Sequence, residues 1–412
     1  MRLDWERVNA ATRAAHEGTA EPLCAYLYDL PALARHARAV RAGLPPQCDF
    51  FYAIKANSDL PVLQALAPIV DGFEASSGGE IAWLRQHFPH VPVIFSGPGK
   101  LDAELELAVR QGVTVHVESL HELERLATLA SQAAAPVGVL LRVNLPLAEA
   151  ATTSLVMGGK PTQFGIAVEH LPACLDRLRC SPQLALRGFH FHLLSHQLDA
   201  DRHVQLLGVY LRQARQWCRE YGLAIDHVNV GGGIGVNYRE PQQQFDFARF
   251  CMGLERLLQD RQEPAPRLRF ELGRFVSAFC GYYATEVIDI KDAGGRAFAV
   301  VRGGTHHFRT PYAQGHSHPF RVLPVERWTR PYGRPAIEAR PVTITGQLCT
   351  PKDVLASDAM VERLRVGDLL LFPYAGAYAW HISHHDFLRH PHPRHIYLHE
   401  DAPGAAPWPT HP

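Results

Sequence analysis

Between residues 48 and 274 the chain repeats one pattern eight times: a short apolar or β-branched run, then a stretch with helical spacing. The runs are CDFFYAIKA, IVDGFEA, VPVIFSG, VTVHVES, PVGVLLRVN, LALRGFHFHLL, IDHVNVGGG and PRLRFELG. Helical periodicity marks GGEIAWLRQHF, LDAELELAVRQG, LHELERLATLA, RHVQLLGVYLRQARQWCREYG and FARFCMGLERLLQD between them. Such alternation predicts an α/β chain built on a (β/α)8 TIM barrel, because an open doubly wound sheet rarely needs so many strands.

After Arg274 the long helical stretches stop. FVSAFCGYYATEVIDI, RAFAVV, PVTITGQL, DLLLFPYAGAYAW and HIYLHE read as strands, which predicts a C-terminal β-barrel or β-sandwich domain. The expected organisation is an N-terminal segment over 1–30, a barrel over 31–274, a β domain over 275–400 and a disordered tail over 401–412, where Pro and Ala dominate. The strand-like PLCAYLYDL of the first segment either joins the β domain or leads into the barrel.

Lysine plus arginine and aspartate plus glutamate number 41 each. That balance removes the electrostatic case for a nucleic-acid or anionic-membrane partner and favours a small molecule. Met1 to Ala20 has no continuous apolar run, so neither a signal peptide nor a membrane span is expected and the expected location is cytoplasmic. The eight cysteines include no CxxC pair, so no disulfide framework or structural zinc site is expected.

In a barrel of this kind the loops after the strands converge on one mouth. Charged or special residues stand at those positions: Lys55, Glu74, Glu118, Arg142, His192 with Ser195, Gly231-Gly232-Gly233, and Glu271 with Arg274. Each alone has an ordinary reading: an exposed lysine, a structural histidine, a tight turn of glycines, a buried Glu271–Arg274 ion pair. Together they describe one polar cavity. A lysine in a partly apolar cavity is expected to have a lowered pKa and to condense with an aldehyde, which pyridoxal 5'-phosphate supplies. The glycines and Arg274 suit a phosphate, His192 suits the face of a ring, and Glu271 suits a ring nitrogen that must stay protonated.

YAIKAN around Lys55, GFHFHLLS at 188–195, GGGIG at 231–235, ELGR at 271–274, GQLC at 346–349 and YAGAY at 374–378 occur in an order that resembles the fold-type III pyridoxal-phosphate decarboxylases. This group includes ornithine and diaminopimelate decarboxylases and shares an alanine-racemase-like barrel. The resemblance covers nearly the whole chain. It implies that Lys55 is the Schiff-base lysine, that His192 stacks on the pyridine ring and that Glu271 pairs with the ring nitrogen. It further implies that Ser195, Gly233 and Arg274 hold the phosphate, with Gly231, Gly232, Gly273 and Tyr378 also binding the cofactor. Cys349 is implied to act in a neighbouring subunit's site, which makes the expected assembly a homodimer.

Three departures inform the reading. Leu194 stands where the family has glycine in its His-x-Gly-Ser, and Leu272 where proline is usual. Thr350 follows Cys349 where decarboxylases of diamines or diaminopimelate typically carry an acid, so a distal ammonium lacks its counter-charge. Lys352 suits an anionic distal group, with Asp353 nearby. The His- and Arg-rich segments 302–320 and 377–395 read either as solvated loops or as a pocket for several carboxylates. With GPGK at 97–100 and GGKPTQFGI at 158–166, they resemble the subgroup that decarboxylates citryl-2,3-diaminopropionate in staphyloferrin B siderophore biosynthesis. Arg142, Arg309, Thr350, Lys352 and His384 are the substrate candidates. No metal is expected, the nearest approach to a site being His381, His384 and His385. The competing readings are decarboxylation of a free diamino acid, a racemase, which Glu271 argues against, and a non-catalytic cofactor-binding regulator.

Overall fold

The computed structural model describes residues 3–146, 155–156, 161–259 and 266–400. The expected tail over 401–412 and residues 158–160 of the GGKPTQFGI motif lie outside them. After β1 (Cys24–Asp29), the eight strands foreseen from the repeat form β2 (Cys48–Ala53), β3 (Gly72–Ala75), β4 (Val93–Phe95), β5 (Thr114–Val117), β6 (Val137–Asn144), β7 (Leu184–His190), β8 (His227–Asn229) and β9 (Arg267–Leu272). Each pairs in parallel with the next, and β9 pairs with β2, so the sheet closes on itself. All six residues of β2 are buried. That is why its sequence is a nearly continuous apolar run and not an alternation.

The turns after β3 and β5 use one device. Ser77 and Ser119 leave the strands in extended conformation and accept hydrogen bonds from the N–H groups of Glu80 and Glu122, capping the helices Gly78–His87 and Leu120–Leu129. Strand end, cap and helix start are thus packed into four or five residues.

Beyond the barrel, β10 (Gly281–Ala293) is the hub of a mixed sheet. It runs antiparallel to β1, to β11 (Arg296–Val301) and to the strand Leu369–Phe372. β1 also pairs in parallel with Arg394–Leu398, so the N-terminal strand lies in this sheet between elements from the far end of the chain. One apolar core runs from the barrel into the sheet, with Tyr52 and Phe270 at one side and Tyr26, Tyr283 and Phe372 at the other.

Two expectations about the strands are corrected. The first six residues of FVSAFCGYYATEVIDI are helical, and the strand begins only at Gly281. Val276 and Ser277 donate to Gly273 O in a helical turn, and Tyr52 OH of the barrel meets Ser277 Oγ at 3.0 Å, a tertiary contact that favours the turn over the β-forming composition. Val354–Arg365, not foreseen as a strand, pairs antiparallel with Ala336–Thr345. No helix among the described residues is long and apolar enough to cross a membrane.

Candidate active site

Lys55 follows β2 on a single 3-10 turn, Ile54–Ala56. Its Nζ donates to both oxygens of Glu74 at 2.9 and 2.8 Å and to Ser76 Oγ at 3.3 Å. Glu74 is fully enclosed, whereas the lysine side chain stays 41 % exposed to the barrel mouth. Burial works to lower the pKa of Lys55, but the Glu74 carboxylate outweighs it and the net shift is upward. The expected lowered pKa is therefore corrected: a neighbouring strand end keeps this lysine an ammonium.

The turn is clamped from the β domain. Tyr378 N donates to Ala56 O at 2.9 Å, and Asn57 Nδ2 donates to Gly376 O at 3.1 Å. A Cβ on Gly273 would stand 2.9 Å from Ala56 Cβ, so glycine at 273 lets the start of the next loop pack against this turn. Ala56 and Asn57 thus tie the lysine's turn to the β domain.

Glu271 sits next to Phe51 in the β9–β2 register, beneath Lys55. Asn229 Nδ2 donates to its Oε1 at 2.8 Å, and His116 Nδ1 and His190 Nε2 stand 3.5 and 3.8 Å from its two oxygens. Burial raises its pKa to about 7, with Glu74 adding and Lys55 and Arg142 opposing. It forms no ion pair with Arg274 among the described residues. Arg274 Nη1 donates to Tyr238 OH at 2.9 Å, and with the Gln314 amide in its hydrogen-bonding orientation both Nη atoms donate to the Gln314 carbonyl at 2.7 and 3.1 Å. The Tyr378 ring lies 4.5 Å from the same guanidinium.

His192 has a defined tautomer. Its Nδ1 accepts from Gly232 N at 3.3 Å, so the proton is on Nε2, which donates to Ser195 Oγ at 3.2 Å. Burial, then the charges of Arg142 and Lys55, lower its pKa and keep it neutral. The three glycines after β8 are obligatory. Gly231 and Gly233 have φ of +67° and +86°, and a Cβ on Gly232 would meet Glu271 O at 2.0 Å. Ser195 follows Leu194, whose side chain is buried, so the departure at 194 fills a core position.

Arg142 and Glu118, both foreseen at strand ends, satisfy each other at 2.6 Å, with Glu118 also accepting from Gly97 N and Gly165 N. Both are buried, and they build the mouth's wall. Cys349, Thr350 and Lys352 lie on the loop after Ala336–Thr345, and no hydrogen bond or ion pair among the described residues joins them to Lys55, His192, Glu271 or Arg274. Asp353 is not a free acid. It is buried, and its carboxylate accepts from Thr305 N at 2.6 Å and Leu348 N at 2.8 Å, which shapes this loop. Exposed Arg309 and His384 lie on neighbouring segments, Arg309 N bonding Ser383 Oγ at 3.1 Å. His381 turns to Asp59 and His385 to Trp380 O, so with His384 they do not converge on one point.

Sequence reasoning missed Asn229, His116, His190, Tyr238 and Gln314. The alternation of HFH places His190 on the same face as His192 and could have pointed to it. Nothing local marks Gln314, which comes from a helix of the β domain.

The donor set fits pyridoxal phosphate: a lysine amine, a neutral histidine ring, an enclosed carboxylate, and an arginine beside a cradle that only glycine fills. The family model for the pyridoxal-dependent decarboxylase, pyridoxal binding domain, matches residues 30–278. The chain is 42 % identical over 380 residues to the 2-[(L-alanin-3-ylcarbamoyl)methyl]-2-hydroxybutanedioate decarboxylase of Staphylococcus aureus, covering 92 % of this chain and 94 % of that one. It is 32 % identical over 402 residues to the L-glutamyl-[BtrI acyl-carrier protein] decarboxylase of Niallia circulans, covering 95 % and 91 %. The diaminopimelate decarboxylase of Helicobacter pylori, solved with L-lysine, superposes with a TM-score of 0.82 at 25 % identity, covering 94 % of both chains. The chain belongs to the fold-type III pyridoxal-phosphate-dependent decarboxylases.

Proposed function

We propose that this chain removes, as carbon dioxide, the carboxylate beside the free amine of citryl-2,3-diaminopropionate, leaving citryl-diaminoethane, a step in assembling a staphyloferrin B-type siderophore for iron acquisition. The observation that carries the proposal is the 42 % identity, over 92 % of the chain, to an enzyme whose name states that citryl-linked alanine as substrate. The loop around Cys349 supports it. Its one acid, Asp353, is already held by two backbone N–H groups, while Lys352 and nearby Arg309 are exposed. A distal ammonium finds no counter-charge there, and a tricarboxylate head does.

When bound, the cofactor supplies an aldehyde for amines and a protonated ring that withdraws electrons. Lys55 would hold that aldehyde, and Glu74 Oε2, 2.8 Å from Nζ, positions the amine and favours its charged form. Glu271 would hold a proton at the ring nitrogen, His192 would cover the ring, Ser195, Gly233 and Arg274 would hold the phosphate, and Gly231, Gly232, Gly273 and Tyr378 would complete the cofactor site. Cys349 or Lys55 delivers the proton that replaces the lost carboxylate. Two chains pair so that the Cys349 loop of each, with Thr350, Lys352, Arg309 and His384, faces the other's barrel mouth.

The test offers the cofactor-loaded protein citryl-diaminopropionate beside lysine, ornithine, arginine and meso-diaminopimelate, following carbon dioxide and product mass. Release from the citryl compound alone supports the proposal. Turnover of a free diamino acid, the reading favoured by the lysine-bound Helicobacter pylori relative, overturns it.

A further inference from the structure

Beneath Lys55 the barrel interior carries two histidines that the decarboxylase reading does not use. His116 comes from β5, His190 from β7 and Glu271 from β9, and one ligand atom from each lies within 4.8 Å of the others. His116 Nδ1 is 3.5 Å from Glu271 Oε1 and His190 Nε2 is 3.8 Å from Oε2. In a tetrahedral zinc-like site adjacent ligand atoms stand about 3.4 Å apart, so two of the three edges need only small rotations.

The cluster has a second property. His116 and His190 are 0 % and 1 % exposed, yet His116 Nε2 and both nitrogens of His190 have no hydrogen-bond partner among the described residues. Buried polar atoms without partners are uncommon and cost about 1–3 kcal/mol each. Burial also keeps both rings neutral, so each has one nitrogen lone pair to offer, and His116 Nδ1 would exchange its 3.0 Å hydrogen bond with Ser96 Oγ for the metal. The neighbouring cations each have an acid of their own, Arg142 with Glu118, Lys100 with Glu122, Arg269 with Asp49 and Lys55 with Glu74, which leaves the Glu271 carboxylate facing the two imidazoles.

We propose that the cofactor-free chain binds one divalent transition-metal ion through His116, His190 and Glu271, and that this ion competes with pyridoxal phosphate for Glu271. Two imidazoles and one carboxylate suit zinc, cobalt, nickel or ferrous iron and not magnesium or calcium. The competition rests on the assignment of Glu271 to the ring nitrogen; the metal site does not.

The probe is cobalt(II) added to the full-length cofactor-free protein. One equivalent should give visible d–d bands, and His116→Asn and His190→Asn should each lose them while retaining the native circular dichroism spectrum. At cobalt ten times its dissociation constant, the apparent affinity of wild-type for pyridoxal phosphate, read from the lysine-bound absorbance, should fall about tenfold. His190→Asn, measured in the same mixtures, should show no cobalt effect, which separates the site from metal–cofactor chelation in solution. Absent bands in wild-type, or bands that persist in both variants, overturn the site. Bands lost in the variants with unchanged cofactor affinity keep the site and overturn the competition.

Discussion

Replacing Glu74 by glutamine removes the carboxylate that holds Lys55 as an ammonium. At 2.8 Å the attraction is about 6 kcal/mol at an effective dielectric of 20. The lysine is 41 % exposed, and solvent screening together with the amide oxygen that remains reduces this to about 1–3 kcal/mol. At about 1.36 kcal/mol per pH unit, the pH at which half of Lys55 is neutral falls by about 1–2 units. The sign follows from the two opposing causes: burial favours the neutral amine, Glu74 favours the ammonium, and glutamine leaves burial without its opponent. The assay mixes cofactor-free protein with pyridoxal phosphate across a pH series and follows the visible absorbance of the lysine-bound cofactor. Uptake depends on the neutral amine, so the alkaline rise of the wild-type profile should appear at lower pH in Glu74→Gln, with uptake at pH 7 about tenfold or more faster. A superimposable uptake profile, or slower uptake at pH 7, would refute the account of Lys55.

Lys55→Ala should take up no cofactor with the lysine-bound absorbance and should release no carbon dioxide; a coloured, active variant sinks the assignment. Cys349→Ala should keep that absorbance but slow or misdirect the reaction, and a wild-type rate with a clean product removes Cys349 from the chemistry. Glu271→Gln tests a stability linkage. A carboxyl raised to about 7 imposes no cost below its unfolded value near 4.5 and its full cost above 7, so the cofactor-free variant should gain on the order of 2–3 kcal/mol in urea unfolding at pH 8 and nothing at pH 4. Gln314→Leu should weaken pyridoxal phosphate binding by about tenfold, the worth of a hydrogen bond that orients a charged group, while leaving unfolding of the cofactor-free protein unchanged.

The barrel was legible because strands buried on both faces cannot hide: CDFFYA has no polar face to alternate with, and the run ends where burial ends. The same logic exposed Lys55, Glu74, Glu118 and Glu271, since each stands where an apolar run stops. FVSAFC misled for the converse reason, its β-forming residues forming a helical turn on Gly273 whose Ser277 meets Tyr52, a partner distant in sequence. Partnership was not legible either. Glu118 finds Arg142, Asp353 finds Thr305 and Leu348 and leaves the loop without an acid, and Glu74 finds Lys55 and reverses the direction of its shift. Where a strand ends is a property of its own residues. Which two ends meet at 2.8 Å is set only when the β2–β3 register forms and the sheet closes at β9, so composition could announce a polar mouth without deciding which of its charges remain available for chemistry.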